Sequence, residues 1–308
     1  MSYSERNSVA DPQAPGSLQR FLLDSHAVRG HHVRLGAAWD ELRAVHAYPP
    51  AVEQLLGEAV TAVLLLAATL KFSGKLTLQF SGHGQVSLLV AQCTDDFHIR
   101  AVAQHAADVP PLADFVTLVG DGRVVVTIES GDQGARYQGI VPLNPAGIAA
   151  SLEDYFASSE QLPTRLRLFT QGGSAGGLLL QRLPEPARGE AAGAIEQAVW
   201  EQLQAGLLRL DSIALGQSLE SLLPAVCGEY DSRVFAAAPV RFRCGCSAQR
   251  VGALLQSLGA DEVREVLREQ GHVDITCEFC RAPYRFDAVD IEQLFAAGPA
   301  VTADHRLN

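Results

Sequence analysis

Four cysteines near the end of the chain constrain its fold more than any other feature. They form two pairs, Cys244-Gly245-Cys246 and Cys277-Glu278-Phe279-Cys280, and thirty residues separate the pairs. Each pair is a knuckle, a short segment whose local backbone brings two thiolates close, and two knuckles together can hold one tetrahedral zinc ion. The spacing predicts one Zn²⁺ per chain, bound by Cys244, Cys246, Cys277 and Cys280.

Other interpretations of the same cysteines remain open from spacing alone. The four thiols could form two independent pairs, or could be buried without a ligand role. Structural zinc sites more often use Cys-x-x-Cys twice, and two thiols spaced as Cys244 and Cys246 can also close a strained, reducible disulfide. A redox switch is therefore conceivable beside a structural site. His272 is a spare ligand candidate, but four cysteines already fill a tetrahedron.

Composition indicates a globular protein that does not grip phosphates. Of 308 residues, 47% are apolar and 19% charged, and the net charge is −11. That length predicts two or three units, and the acidity argues against nucleic acid as the main partner. From Arg233 onward the chain has 9 Arg and 10 Asp plus Glu, so the cysteine-bearing tail is formally −1.

The sequence predicts a cytoplasmic protein that does not span a membrane. The polar residues 1–18 lack the apolar stretch of a secretory signal and are expected to be a flexible extension. The longest apolar run, Ala59 to Leu70, is too short to cross a bilayer and predicts a buried helix. Six cysteines, four of them in a metal pattern, suit a reducing compartment. The remaining two, Cys93 and Cys227, are expected to be small buried apolar residues.

Residues 19–183 are predicted to form an α+β core with antiparallel sheets and helices. Pro49 precedes a densely apolar helix from Ala51 to Leu70, and a second helix is expected from Ala146 to Ser158. Alternating patterns and glycine-rich turns predict six strands. These strands are Lys75 to Phe80, Gln85 to Gln92, Arg123 to Glu129, Arg136 to Val141, Arg165 to Thr170 and Gly177 to Arg182.

Residues 184–232 are predicted to be a helical linker. Apolar residues recur every fourth position at Ile195, Val199, Leu203 and Leu207, which is typical of an amphipathic helix. A second helix, Ser212 to Leu223, should end before Pro224. The segment is too small to form its own core, so it must rest on a neighbour. If that neighbour is partly the tail, the order of the linker depends on the tail. The periodicity is equally compatible with an ordinary helical hairpin that stays docked permanently.

The tail, residues 233–308, is predicted to be a small zinc-binding domain. Helices are expected from Ala248 to Leu258, from Glu262 to Gln270 and from Asp290 to Ala297. The second knuckle should form the turn of a hairpin between Val273 to Thr276 and Pro283 to Phe286. A unit of this size is expected to depend on its metal for stability.

No constellation of residues predicts an enzyme, and no catalytic residue is assigned. Asp24, Ser25 and His26 are consecutive, whereas a catalytic triad is assembled in space, and no Gly-x-Ser-x-Gly elbow is present. The glycine-rich loops lack the Gly-Lys-Ser/Thr of a nucleotide-binding loop and are predicted to be hairpin turns.

The chain resembles the heat shock protein 33 family. The Cys-x-Cys and Cys-x-x-Cys pairs at this separation are its signature, and the resemblance extends over about residues 19–285. Further motifs of the family are Arg136-Tyr137-Gln138-Gly139-Ile140-Val141, Leu152-Glu153-Asp154-Tyr155-Phe156, Ser159 to Thr164, and Ala175 to Gln181.

The resemblance implies a redox-regulated holdase, a chaperone that binds unfolding proteins without ATP. It would be inactive when reduced and zinc-bound. Oxidation would form the disulfides Cys244–Cys246 and Cys277–Cys280, release zinc and unfold the tail and linker, and the active protein would be a homodimer. Apolar surface such as the stripe Ile195, Val199, Leu203 and Leu207 would then bind client proteins.

Two other classes remain as alternatives. A zinc-ribbon module that binds nucleic acid or the ribosome would favour a basic tail, unlike the tail here. A thiol oxidoreductase would use Cys277-x-x-Cys280 for catalysis, but that motif usually begins a helix in a βαβ unit rather than a hairpin.

Overall fold

The chain folds into two compact units, Met1–Arg243 and Cys244–Asn308. The computed structural model describes residues 15–130, 136–184 and 190–296. Of the flexible extension expected at 1–18, residues 1–14 lie outside the described residues, whereas residues 16–18 belong to the first strand, so the expected limit at 18 is wrong. The boundary between the units falls between Arg243 and Cys244, whereas the boundary predicted from the sequence was between residues 232 and 233. The difference arises because residues 232–242 supply two strands to the sheet of the first unit.

One large sheet organises the first unit. In the described part of the chain this sheet has eleven strands, of which ten lie in the order β7-β6-β3-β4-β5-β11-β1-β2-β9-β8, while β10 pairs with β1. Neighbouring strands are antiparallel, with one exception. Strand β11 is antiparallel to β1 but runs parallel to β5. The strands are β1 Gly16–Leu23, β2 Val28–Arg34, β3 Gly74–Ser81, β4 Val86–Thr94, β5 His98–His105, β6 Arg123–Ser130, β7 Arg136–Pro142, β8 Thr164–Gln171, β9 Ser174–Arg182, β10 Ser232–Val234 and β11 Ala238–Phe242.

A long buried helix covers one face of this sheet. It is α2, Pro50–Thr69, which begins with proline at its first position and places side chains such as Leu56 and Leu64 fully in the core. By length and composition alone α2 could cross a membrane, but 78% of its apolar window is buried inside the protein. Shorter elements surround it: α1 Ala37–Arg43, α3 Phe115–Val119, α4 Ile148–Tyr155 and a π-helical turn Phe156–Glu160.

The linker helices cover the opposite face of the same sheet. They are α5 Glu190–Leu208, α6 Ser212–Leu215 and α7 Leu219–Cys227. Their buried side chains pack with Phe21 of β1 and with Leu178 and Leu180 of β9, while Leu179 belongs to the core around α2. The half of the sheet around β1, β2, β9 and β8 is therefore enclosed on both faces, which explains the nearly continuous apolar run of β9.

The expectation that a helix ends before Pro224 is wrong. The predicted helix is interrupted earlier, after α6, and Pro224 lies inside the next helix, α7. Proline removes one helical hydrogen bond, but Leu219, Leu222 and Val226 are buried against the sheet on either side of it. Packing of these three side chains offsets the missing bond.

The second unit is built around the two knuckles. Its helices are α8 Ala248–Leu258, α9 Ala260–Gln270 and α10 Ala288–Ala296, and its hairpin pairs β12 Val273–Thr276 with β13 Pro283–Phe286. Each lies within two residues of its predicted limits. The described part of this unit has a core of six buried apolar side chains: Val251, Leu255, Val263, Val273, Phe286 and Ile291. So small a core leaves room for a strong contribution from a metal.

Candidate metal centre

The two knuckles are positioned by elements of the second unit. Cys244 and Cys246 precede α8, whose N-cap Ser247 accepts a hydrogen bond from the backbone N–H of Arg250. Cys277 and Cys280 occupy the turn between β12 and β13. Backbone bonds from Cys277 N to Ala282 O, 2.9 Å, and from Arg281 N to Cys277 O, 2.8 Å, close that turn.

Folding brings all four sulfur atoms together. The Sγ atoms lie within 4.8 Å of one another, and they form the group of possible metal ligands found among the described residues. Cys244 Sγ is 3.7 Å from Cys277 Sγ, and Cys246 Sγ is 3.4 Å from Cys280 Sγ. Tetrahedral sulfur ligands about 2.3 Å from zinc are about 3.8 Å apart. The cluster therefore fits a zinc ion in both donor type and spacing.

The thiols are electrostatically unequal, because a phenol contacts one of them. Tyr284 on β13 donates a hydrogen bond of 3.0 Å to Cys246 Sγ. Burial raises the pKa of Cys246, but hydrogen bonds from Tyr284 and from the other three cysteines outweigh burial and lower the pKa to about 7. The same bond to Cys246 is the main reason that the pKa of Tyr284 rises to about 12.

Both thiols of the second knuckle have a raised pKa. Burial, together with hydrogen bonds among the thiols, raises the pKa of Cys280 to about 12, and burial raises that of Cys277. A metal ion must displace these protons, because thiolate is the ligand. Metal binding at this centre is accordingly coupled to proton release.

Arg281, directly after Cys280, has a φ of 59°. This left-handed conformation is strained for a residue with a Cβ atom. The strain lies in the turn that presents the second pair of thiols, so closing the knuckle imposes it.

The other candidates from sequence occupy different places. His272 Nε2 lies 3.1 Å from Asp274 Oδ2, outside the thiol cluster. Val199, Leu203 and Leu207 are buried against the sheet, whereas Ile195 is 60% exposed. The stripe of four thus consists of three packed residues and one exposed residue.

The structure also gives the surroundings of Cys93, Cys227 and His26. Cys93 and Cys227 are buried apolar-core residues, as expected. His26 Nδ1 lies 2.8 Å from Glu196 Oε1 of α5, where it joins the linker to the sheet. Tyr284 was not predicted as part of the site. The one signal that the sequence offers is that Tyr284 lies four residues after Cys280.

Fold and site together define a protein in which a sheet-and-helix unit is followed by a small unit whose four clustered cysteines could hold a metal ion. The chain belongs to the Hsp33 family, described as "Hsp33 protein", which matches residues 16–287.

Similar proteins support this assignment along most of the chain. The 33 kDa chaperonin of Methylobacillus flagellatus is 40% identical over 286 residues, covering 92% of this chain and 95% of that protein. The 33 kDa chaperonin of Azotobacter vinelandii is 42% identical over 284 residues, covering 91% and 94%. The crystal structure of the Thermotoga maritima 33 kDa chaperonin has the same fold, with a TM-score of 0.77 at 24% identity, covering 90% of this chain and 97% of that one.

Proposed function

We propose that this protein is a redox-regulated holdase that needs no ATP and catalyses no reaction. The reduced form would hold one Zn²⁺ through Cys244, Cys246, Cys277 and Cys280 and would be inactive. Oxidation would release the metal and expose apolar surface that binds unfolding proteins. The observation that carries the proposal is the cluster of four thiols in a unit with a very small core.

Energetics give the cluster control over the second unit. Zinc cross-links the two knuckles and contributes roughly 10–16 kcal/mol in small peptides, whereas whole domains are stable by only about 5–15 kcal/mol. The described part of the second unit has six buried apolar side chains as its core, so the unit would unfold without the metal. Oxidation of the ligands is therefore sufficient to unfold it.

Hydrogen peroxide can oxidise a pair of thiols to a disulfide in two steps. A thiolate attacks peroxide, the O–O bond breaks, and a sulfenic acid and hydroxide form. A second thiol then displaces the sulfenic oxygen as water, leaving a disulfide, so each peroxide accepts two electrons from two thiols. We assign the pairs Cys244–Cys246 and Cys277–Cys280 from the family resemblance. Both close very short loops, so they restrain the unfolded chain little and cannot replace zinc.

The chain itself offers a route from the second unit to the linker. Strand β11 ends at Phe242, two residues before Cys244, and it pairs with β1 on one side and β5 on the other. Unfolding beyond Arg243 would leave this five-residue strand at the end of the folded part of the chain, where strands fray. Strand β1 also supplies Phe21 to the cluster that packs the linker helices, so loosening β11 weakens their support.

The linker would supply the client-binding surface. Val199, Leu203 and Leu207 of α5 are at most 3% exposed while the helix is docked. Undocking would present them together with Ile195, which is already exposed, as one apolar stripe. Clients would be proteins that expose apolar segments on unfolding. The oxidised form is proposed to be a homodimer in the cytoplasm, with no membrane or nucleic-acid partner.

Geometry disfavours the oxidoreductase alternative. Cys277 and Cys280 lie in the hairpin turn between β12 and β13, whereas a catalytic Cys-x-x-Cys usually begins a helix in a βαβ unit. The formal charge of −1 from Arg233 onward likewise disfavours a nucleic-acid or ribosome-binding module.

Zinc content and aggregation assays test the proposal together. Protein purified under reducing conditions should contain one zinc per chain and should not suppress light scattering by a heat-unfolded test enzyme. After peroxide treatment, zinc should be lost and scattering suppressed without nucleotide. The Cys93→Ala/Cys227→Ala double variant is the matched control, because it retains the four cluster thiols and should behave like wild type.

Two results would overturn the proposal. One is well under one zinc per chain in reduced wild-type protein. The other is equal suppression of aggregation before and after oxidation, which would show that the thiols do not control client binding.

A further inference from the structure

Tyr284 contacts the thiol cluster through its phenol hydroxyl. The hydroxyl donates to Cys246 Sγ at 3.0 Å. Tyr284 pairs with Ile275 across the β12–β13 hairpin, and its ring packs on the apolar core of the second unit. Strand pairing and core packing thus fix the ring and aim the hydroxyl at one sulfur atom.

We propose that Tyr284 is a positioning residue that slows oxidation of Cys246 and so sets how readily the switch responds to peroxide. This inference rests on the proposed redox function. Hydrogen bonds to a metal ligand orient it and tune its electron density. A sulfur lone pair shared with the Tyr284 hydroxyl is less available to attack the O–O bond of peroxide, so the thiolate reacts more slowly.

The same hydrogen bond adds an orienting constraint to the first knuckle. Cys244 and Cys246 lie in a loop before α8, whereas Tyr284 lies in a strand of the hairpin that carries Cys277 and Cys280. Tyr284 therefore ties the Cys-x-Cys loop to the hairpin independently of the metal. Loss of the hydroxyl removes this tie and leaves the ring packing in place.

Tyr284→Phe isolates the hydroxyl. The zinc-loaded, reduced full chain is mixed with excess hydrogen peroxide, and zinc release is followed with a metallochromic indicator. Oxidised Cys246 is quantified by mass spectrometry at early times. We expect one zinc per chain in the variant and zinc release about tenfold faster than in wild type, which is the scale on which hydrogen-bond partners of metal ligands change affinity and activity.

A cobalt-substituted protein provides a readout that a packing role would not change. The sulfur-to-Co²⁺ charge-transfer band should shift to longer wavelength in Tyr284→Phe, because a sulfur without the hydrogen bond gives up electron density more easily. Tyr137→Phe is the matched control: it deletes a hydroxyl that lies 3.4 Å from the Tyr155 hydroxyl in the first unit. It should match wild type in both rate and spectrum.

The outcomes separate this inference from the proposed function. Zinc release from Tyr284→Phe at the wild-type rate, or an unshifted cobalt band, would overturn the role of Tyr284 alone. A zinc-loaded variant whose second unit has lost amide-exchange protection would also overturn it, because the tyrosine would then be a folding residue. Wild-type protein that binds no zinc, or releases none with peroxide, would instead overturn the proposed function.

Discussion

The imidazole of His32 on β2 places Nε2 3.0 Å from the backbone carbonyl oxygen of Leu215, the last residue of α6. Both residues are buried. An imidazole N–H donates to a carbonyl that has no partner within its own short helix, so the bond fastens the linker to the sheet. His31, beside it, is also buried, and its Nδ1 has no hydrogen-bond partner in the described structure.

These two histidines predict that the first unit loses stability in acid. Burial, reinforced by Arg29 and Arg20, lowers the pKa of His31 to about 3. Burial also lowers the pKa of His32 to about 4, despite opposing effects from Leu215 and Glu220. Both values lie below the unfolded value of about 6.5, so the unfolded chain binds more protons. Stability is full above about pH 6.5 and falls as pH decreases toward 4.

The loss should be measurable at about pH 5. Each histidine is expected to lower the free energy of unfolding there by about 2 kcal/mol. Urea unfolding can be followed through Trp200 of α5, which is buried among the linker residues, in a Trp39→Phe background. The control is His32→Gln, whose amide can donate to Leu215 without titrating, and it should lose less stability in acid. An unchanged unfolding free energy between about pH 7 and pH 5 would contradict the expectation.

A charge placed under α5 should release the linker without oxidation. Leu203 is fully buried, and an unpaired carboxylate there costs on the order of several kcal/mol. We expect Leu203→Asp to raise amide exchange over residues 193–227 while zinc remains bound. If docking keeps the protein inactive, this reduced variant should suppress aggregation of a heat-unfolded enzyme.

Ile195 provides the matched control on the same helix. Its side chain is 60% exposed, so Ile195→Asp adds the same charge without removing packing. This variant should keep α5 protected and should stay inactive when reduced. If Leu203→Asp undocks the linker yet remains inactive, release of the linker is not sufficient, and the second unit or dimerisation controls client binding as well.

Glycine at position 281 should strengthen the metal centre. Arg281 has a φ of 59°, which costs roughly 1–2 kcal/mol for a residue with a Cβ atom, and glycine removes most of that cost. The greater freedom of glycine in the unfolded chain offsets part of the gain. We expect Arg281→Gly to bind zinc more tightly by about 1 kcal/mol, or about fivefold, in competition with a chelator. Equal or weaker zinc binding would show that the turn is not strained.

The clustering of the four thiols could be predicted from the sequence because a knuckle is a local structure. Two cysteines separated by one or two residues bring their sulfurs together wherever the segment folds, so all four ligand candidates could be named. Helices α2, α8 and α9 and the hairpin β12–β13 carried equally local signals. The contact of Tyr284 with Cys246 could not be predicted, because it depends on how a strand folds against a distant loop.

Long-range pairing was the least predictable part of the fold. Strand β5 and the pair β1 and β2 are buried in patterns without clean alternation, so their signals were weak. Strand β11 joins β5 to β1, yet it contains Pro239 and only five residues. The amphipathic stripe of α5 showed which face is apolar, but a stripe does not identify its partner. The partner is the sheet of the first unit.

Cys93 and Cys227, the two cysteines outside the thiol cluster, should be labelled in a pattern that reports whether the linker is docked. Burial raises the pKa of Cys227 to about 11. Burial, with Asp96 and Asp95, also raises the pKa of Cys93 far above its usual range. Neither thiol should react with iodoacetamide in the reduced, zinc-bound protein at neutral pH, because the thiolate is the reactive form.

Oxidation should separate the two thiols. Cys227 lies in α7 of the linker, whereas Cys93 lies in the core beneath α2. After peroxide treatment and removal of excess peroxide, labelling of Cys227 should rise at least about tenfold, while Cys93 should stay protected. Peptide mass spectrometry measures both sites in one sample. If Cys227 stays as protected as Cys93 in oxidised protein that has lost its zinc, the linker remains docked, and the client-binding surface must lie in the unfolded second unit.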